Sequence, residues 1–226
     1  MSALEGLVVR RTTTAQQVAD GLSERILAGV FKPGERLREA AIATELGIAR
    51  NTVREAVRML EFGGLVRCEV NRGAVVISPT PSTVDELYTA RERLETAALA
   101  RPLTSEGLAT IEAAFDNLVQ VAASHDQRRI VEADLALHTA MVSTLGSERI
   151  SRFHAELTRE LRFYLMALSS YEREFEHPDQ VVAEHEPIMA AIRAGDHDRA
   201  VREASHHIAM NAERVQRILA SGSVPG

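Results

Sequence analysis

Apolar residues recur three and four positions apart along most of this chain, the period of helices that bury one face. From Thr14 to Ala28 the inner positions are Val18, Leu22, Ile26 and Leu27, and Thr14 is the expected N-cap. Gly29 and Lys32-Pro33-Gly34 form a turn, and Leu37 anchors the segment that follows. Glu39–Gly63 predicts two short helices. Ile42 and Leu46 mark the inner side of the first. Gly47 ends it, because a residue without Cβ takes the left-handed conformation at little cost. Val53, Ala56, Val57 and Leu60 line the inner side of the second.

Beyond Gly63 the pattern becomes that of strands. Leu65–Val70 and Ala74–Ile77 flank an Asn71-Arg72-Gly73 turn and read as a hairpin. Ser78-Pro79-Thr80-Pro81-Ser82 follows; two prolines in three residues stop both strand and helix and make a stiff linker. From Thr83 the helical period returns. It predicts Thr83–Arg101, Ser105–Ser124, Gln127–Leu145, Ser147–Ser169, Pro178–Ala194 and Asp196–Ala220, with breaks at Pro102, His125-Asp126, Gly146, Tyr171–His177 and Gly195. About six helices with short links make an antiparallel bundle. The expected fold is mainly α. A winged helix-turn-helix occupies 1–78, with a flexible start carrying Arg10 and Arg11. A Pro-rich linker follows at 79–82, then an all-helical domain over 83–226.

The outer side of the second short helix carries Arg50, Asn51, Arg54 and Arg58, with the arginines four apart on one face. A short helix, a tight turn and a helix with arginines and an amide outward form a helix-turn-helix pattern, and the hairpin behind it is a wing. A solvated charged surface is the plainer account of the same spacing. On the recognition reading, Arg50, Asn51 and Arg54 approach base edges and nearby phosphates. Thr52, Arg58 and Arg72, with Gly73 beside it at the wing tip, contact the DNA backbone.

Charge supports a division of labour. The chain carries 26 basic and 32 acidic residues, a net charge of −6. Its first 80 residues hold 11 basic and 9 acidic groups, leaving 15 and 23 for the rest. The near-neutral part with focused arginines suits a DNA reader, and the acidic remainder suits another task. Lys32 is the only lysine and Cys68 the only cysteine, so no internal disulfide forms and a reducing cytoplasm is expected. No apolar run reaches the roughly 18 residues of a membrane span, and no signal-peptide core opens the chain.

Several polar residues fall on the apolar faces of the bundle. Asp134 and His138 lie within the stripe of Val131, Leu135, Met141, Val142 and Leu145. His185 lies amid Val181, Val182, Ile188, Met189 and Ile192. His207 sits roughly 70° from the centre of the last helix's stripe, whereas His206 points nearly opposite. Unpaired buried polar groups are costly, so an inward aspartate and three inward histidines call for a partner. They form an N/O donor set suited to zinc, with nickel or manganese as other candidates; a hydrogen-bond network without an ion is the plainer account. Arg91 centres the first bundle helix, with Glu95 one turn on. It forms an internal Arg91–Glu95 pair or takes a ligand carboxylate bidentately. Asn211 lies one turn after His207, and His154 is a reserve ligand at its stripe's edge. His125, His177 and His197 fall at loops or helix starts and are expected to be solvated.

The stretch ILAGVFKPGERLREAAIATELGIARNTVREAVRMLEFGGLVRCEVNRGAVV resembles the winged helix of the GntR family of bacterial transcription regulators. The matching points include Pro33-Gly34, Glu39, Leu46-Gly47-Ile48, Arg50, Val53-Arg54-Glu55-Ala56, Gly64-Leu65 and Arg72-Gly73. Ala40 and Ala49 depart from it, where relatives often carry an arginine and a small hydroxyl residue that touch phosphates. The helical half resembles the FCD effector domain of the FadR branch. It does so through Arg91-x-x-Leu94-Glu95, Asp134-Leu-Ala-Leu-His138, Glu184-His185 and His207-Ile208. That resemblance implies a divalent metal on Asp134, His138, His185 and His207, completed by a small organic acid. Ser147 and Leu137 depart from it, and bear on pocket shape.

The function expected is a metabolite-responsive regulator, a homodimer on a palindromic operator, with repression relieved by ligand as the commoner sense. Arg91 and Asn211 are the expected effector contacts. The rival is a metal-dependent hydrolase using the same Asp/His cluster. It needs a general base, and Glu184, adjacent in sequence to His185, points off the apolar face.

Overall fold

The computed structural model describes residues 12–169 and 178–220; the expected start with Arg10 and Arg11, the Tyr171–His177 break and His177 lie outside them. The expected mainly α architecture is borne out. Helices α1 (Thr14–Leu27), α2 (Glu39–Leu46) and α3 (Arg50–Phe62) precede a hairpin of β1 (Val66–Glu69) and β2 (Gly73–Val76). Helices α4 (Pro81–Leu99), α5 (Ser105–Ala122), α6 (Gln127–Ser143), α7 (Glu148–Ser169), α8 (Pro178–Ala194) and α9 (His197–Ala220) form the bundle.

Local chemistry sets the ends of these elements. The N-cap of α1 is Thr13 rather than Thr14: its backbone is extended, and its Oγ1 accepts the Gln16 amide at 3.1 Å. Gly47 takes φ 64° after α2, and the Ile48 amide reaches back to the Ala43 carbonyl at 3.0 Å. Leu46, expected inside, is 52 % exposed. It closes an eight-residue helix beyond the α1–α3 core and opens onto a groove shared with Val18, Phe31 and Ile42. No side chain caps α3, since Ala49 offers no oxygen to its first amides.

The hairpin pairs Val66 with Val76 and Glu69 with Gly73 around Asn71, whose φ of 65° suits a residue that tolerates the left-handed region. The segment before α2 runs along the other edge of β2. The Gly34 and Leu37 amides donate to Val76 and Ala74 at 3.0 and 2.8 Å, and Arg36 stands opposite Val75. The sequence pattern reads this stretch only as a turn and an anchor.

The proline linker is shorter than its composition suggests. Pro81 occupies the first turn of α4, where a fixed φ and a missing N–H cost nothing. Thr80 caps it through a reciprocal pair of bonds with Thr83, at 3.2 and 2.9 Å. Only residues 77–80 separate strand from helix, and Pro79 is buried. The two halves are not held apart by a spacer. Leu22, Ile26, Leu60 and Val76 of the winged helix share one apolar cluster with Leu87, Leu161, Tyr164 and Val215 of the bundle. A second cluster, including Leu118, Leu137, Ile188 and Ala204, joins α5, α6, α8 and α9.

Candidate metal centre and nucleic-acid interface

On α3 the inner side is as expected: Val53, Ala56, Val57 and Leu60 are all buried. Arg50, Asn51, Arg54 and Arg58 are exposed, and Thr52 is half-buried. Their availability differs. Arg54 Nε lies 3.5 Å from Glu39 Oε2. Arg72 Nη1 lies 2.8 Å from Glu69 Oε2, and the same carboxylate takes Arg67 at 2.7 Å. Arg50 and Arg58 make no ion pair among the described residues. Arg72 and Gly73 are both exposed at the wing tip.

The bundle brings four sequence-expected groups together. Asp134 and His138 come from one face of α6, His185 from α8 and His207 from α9; one ligand atom of each lies within 4.8 Å of the others. Helical spacing on α6 does this work, since positions four apart stack on one side. His138 Nε2 faces His185 Nε2 at 3.0 Å, and His185 Nε2 lies 3.1 Å from Asp134 Oδ1. The three rings are packed against one another, their centroids 4.3–5.2 Å apart.

The groups behind these atoms decide which lone pairs point inward. His138 Nδ1 donates to Glu95 Oε2 at 2.7 Å, and His185 Nδ1 donates to the Val181 carbonyl at 2.8 Å. With both Nδ1 atoms protonated, neutral rings would present their two Nε2 lone pairs to each other. Such a contact is repulsive unless a proton or a cation lies between them. The donor set therefore fits a divalent ion. Asn211 Nδ2 donates to His207 Nε2 at 3.0 Å, and Arg214 bonds the amide's oxygen at 3.2 Å, which fixes its orientation.

Arg91 Nε binds Glu95 Oε1 at 2.6 Å in full burial, so the internal pair is what forms. Its Nη2 is buried without a hydrogen-bond partner among the described residues. Glu95 is the group that sequence reasoning undervalued: it holds Arg91 with one oxygen and His138 with the other. Its place one turn from Arg91, on the same inward face, was the signal. His154 is buried but stands 4.0 Å behind Glu95, outside the four-ligand cluster. His125 and His206 are exposed and His197 is half-buried.

Electrostatics follow this arrangement. Burial raises the Glu95 carboxyl, but Arg91 and then His138 outweigh it and hold it far below the usual carboxylate range. Asp134 is held low in the same way by His185, against its own burial. Burial pushes the His185 imidazole down, yet its hydrogen bond to Asp134 turns the net direction upward. His207 is driven well down by burial and by the neighbouring imidazoles, and His138 is lowered by burial and Arg91. Burial brings His154 to about 4. Glu184 is no free base: its Oε1 accepts Arg214 at 2.7 Å.

A winged helix fused to an all-helical domain defines a class, the DNA-binding transcription regulators with a C-terminal helical domain. The family described as bacterial regulatory proteins, gntR family, matches residues 14–76, and the FCD domain matches residues 86–210. The chain belongs to the GntR family of bacterial transcription regulators and carries an FCD domain. It is 30 % identical over 202 residues to the "Probable D-xylose utilization operon transcriptional repressor" of Paenarthrobacter nicotinovorans, covering 88 % of this chain and 87 % of that one. It is 26 % identical to the "Gluconate operon transcriptional repressor" of Bacillus licheniformis, over 83 % of this chain and 79 % of the relative. Its fold matches a solved GntR transcriptional regulator from Rhodococcus sp. RHA1 with a TM-score of 0.75 and 28 % identity, over 89 % and 97 % of the two chains. The family and these relatives are regulators, not enzymes, and the hydrolase reading gains no support. FCD domains typically bind a metal. No helix among the described residues is long and apolar enough to cross a membrane.

Proposed function

We propose that this chain is a metabolite-responsive repressor acting in the cytoplasm as a homodimer on a palindromic operator. Its helical domain holds a divalent metal, zinc first and nickel or manganese next, on Asp134, His138, His185 and His207. One observation carries the reading: two buried Nε2 atoms and an aspartate oxygen lie 3.0–3.8 Å from one another, with the opposite ring nitrogens already committed. Charge balance points the same way. With the imidazoles neutral, as metal ligands must be, Asp134 and Glu95 against Arg91 leave one net negative charge. A divalent ion makes it one positive, and a single carboxylate brings it to neutrality. Bound there, the ion supplies a Lewis-acidic anchor for a small carboxylate effector. Arg91 offers the effector its unpartnered Nη2, and Asn211 sits beside His207 at the same centre. The name of the gluconate relative is in keeping with an acid of this class.

The effector acts by binding two dimer arrangements unequally, and the operator senses the difference; the coupling is reciprocal. Arg50, Asn51 and Arg54 read bases, while Thr52, Arg58 and the wing at Arg72 and Gly73 position the duplex. Metal analysis of the purified protein tests the centre. About one ion per chain is expected, and it is lost in His185→Ala. A native protein that is metal-free and still releases DNA on adding a small carboxylate would falsify the reading.

A further inference from the structure

Three arginines converge on a concavity between the recognition helix and the wing. The segment Gly34–Leu37 is paired to β2, and extended pairing sends alternate side chains to opposite sides. Leu37 goes into the core, and Arg36 stays exposed. Arg38, which precedes α2, is exposed as well. Arg50, the first residue of α3, joins them in lining the concavity. Leu37, Glu39, Ala40, Gly73 and Ala74 complete the lining of a space of about 420 Å³. Arg36 closes over the wing tip: a Cβ added at Gly73 would stand 3.7 Å from its guanidinium nitrogens.

These charges lack counter-ions. Glu39 is the carboxylate in the lining, and Arg54 engages it at 3.5 Å. Glu35 turns instead to the Lys32 amide, which donates to it at 2.9 Å. Among the described residues Arg36, Arg38 and Arg50 make no ion pair. At the wing tip the balance is reversed, since Glu69 holds both Arg67 and Arg72. Guanidiniums that share one concavity repel each other until an anion enters, and their planar forks match phosphate oxygens. The concavity lies between Arg50 at the start of α3 and Gly73 and Ala74 of the wing, beside the helix that a helix-turn-helix places in the major groove.

We propose that Arg36 and Arg38, with Arg50, form a phosphate clamp for the DNA backbone beside the groove entered by α3. The clamp rests on the DNA-binding reading above and adds residues to it. It fixes the register of the wing on the duplex and reads no base. It adds to the positioning role of Arg72, whose charge is shared with Glu69.

The test uses the full chain and two duplexes of roughly 30 base pairs. One is selected by the wild-type protein from random sequence, and the other is its scramble. Arg36→Gln/Arg38→Gln should flatten the plot of log affinity against log salt by about 1.8 on both duplexes. That removes about a 12-fold share of the affinity lost between roughly 50 and 200 mM salt. Preference for the selected duplex should be unchanged, and Arg36→Lys/Arg38→Lys should keep the wild-type slope. Neutral methylphosphonate linkages scanned through the selected duplex should reveal a position that weakens the wild type and leaves the glutamine variant unaffected. An unchanged slope, a loss confined to the selected duplex, or a scan with no such position each overturns the clamp. Arg54→Ala separates the underlying reading: retained preference for the selected duplex sinks the recognition-helix assignment and leaves the clamp's slope effect standing.

Discussion

Glu95→Gln is the perturbation that most sharply tests the bundle's polar centre. The side chain is fully buried, and its two oxygens hold Arg91 Nε at 2.6 Å and His138 Nδ1 at 2.7 Å. Glutamine keeps the shape and one acceptor and loses the charge. Two losses follow and are separable. Removing one partner of a buried ion pair costs about 3–5 kcal/mol, because the other charge stays buried without compensation. For a chain of this size each kcal/mol lowers Tm by about 2–4 °C, so the metal-stripped variant should melt about 6–20 °C below the parent. The second loss falls on the metal. A histidine ligand without its carboxylate support binds about 10–100-fold more weakly. Competition against a chromophoric chelator reads that number, and calorimetry reads the first. Arg91→Met added to Glu95→Gln removes the stranded charge, so most of the stability should return while the metal affinity stays weak. A Glu95→Gln protein that melts with the parent and binds metal as tightly refutes the account of both contacts.

Other perturbations probe separate links. His154 titrates at about 4 in the fold against 6.5 when free, a depressed histidine, so the unfolded chain binds its proton first as pH falls. Its contribution is absent above pH 6.5 and grows as destabilisation down to about 4. Urea unfolding at pH 7 and pH 5 should therefore show the parent losing about 2 kcal/mol more than His154→Leu, and equal losses contradict the assignment. Arg54→Ala should weaken the selected duplex by about tenfold to a hundredfold in a mobility-shift assay, with little effect on scrambled DNA. Glu69→Gln frees Arg67 and Arg72 at the wing tip, so the salt dependence of DNA binding should steepen by about 1 to 2; a flat response shows the pair never held them. Leu161→Ala empties part of the core shared by both halves and should cost about 2–5 kcal/mol; calorimetry should keep one transition, and a winged helix melting at its original temperature shows the core is not shared.

Much of this was legible in the residues. Helical period alone places Val53, Ala56, Val57 and Leu60 inside α3, and all four are buried. The same rule picks Asp134, His138, His185 and His207 from eight histidines and many carboxylates, and those four meet. Phase succeeds there because Asp134, His138 and His185 lie within long stripes, where a small angular error changes nothing, and because His207, though off its stripe's centre, is set apart from His206 on the opposite side. It fails at Leu46, in the last turn of an eight-residue helix, where the stripe ends before its neighbour does. Proline is ambiguous for a related reason. Pro81 terminates a helix from within and starts one from outside, and only the Thr80–Thr83 cap decides between the two.

What periodicity does not carry is the choice of partner. It sets Arg91 inward but not whether it meets a ligand or Glu95, because a guanidinium on a four-atom stem reaches several positions. The exposed arginines show the same limit in a form that alters function. Arg50, Arg54, Arg58 and Arg72 are equivalent as letters, yet Glu39 and Glu69 occupy two of them. The Glu69–Arg72 pair could have been inferred, since a tight hairpin returns residues three apart to one side. The exposed Arg36 could not, because its orientation depends on backbone pairing between the 34–37 segment and β2, forty residues away. Counting basic residues thus overstates the wing tip and misses the edge beside it. The distribution of free positive charge on this face is a property of the tertiary pairing, and any account of its DNA contacts has to begin there.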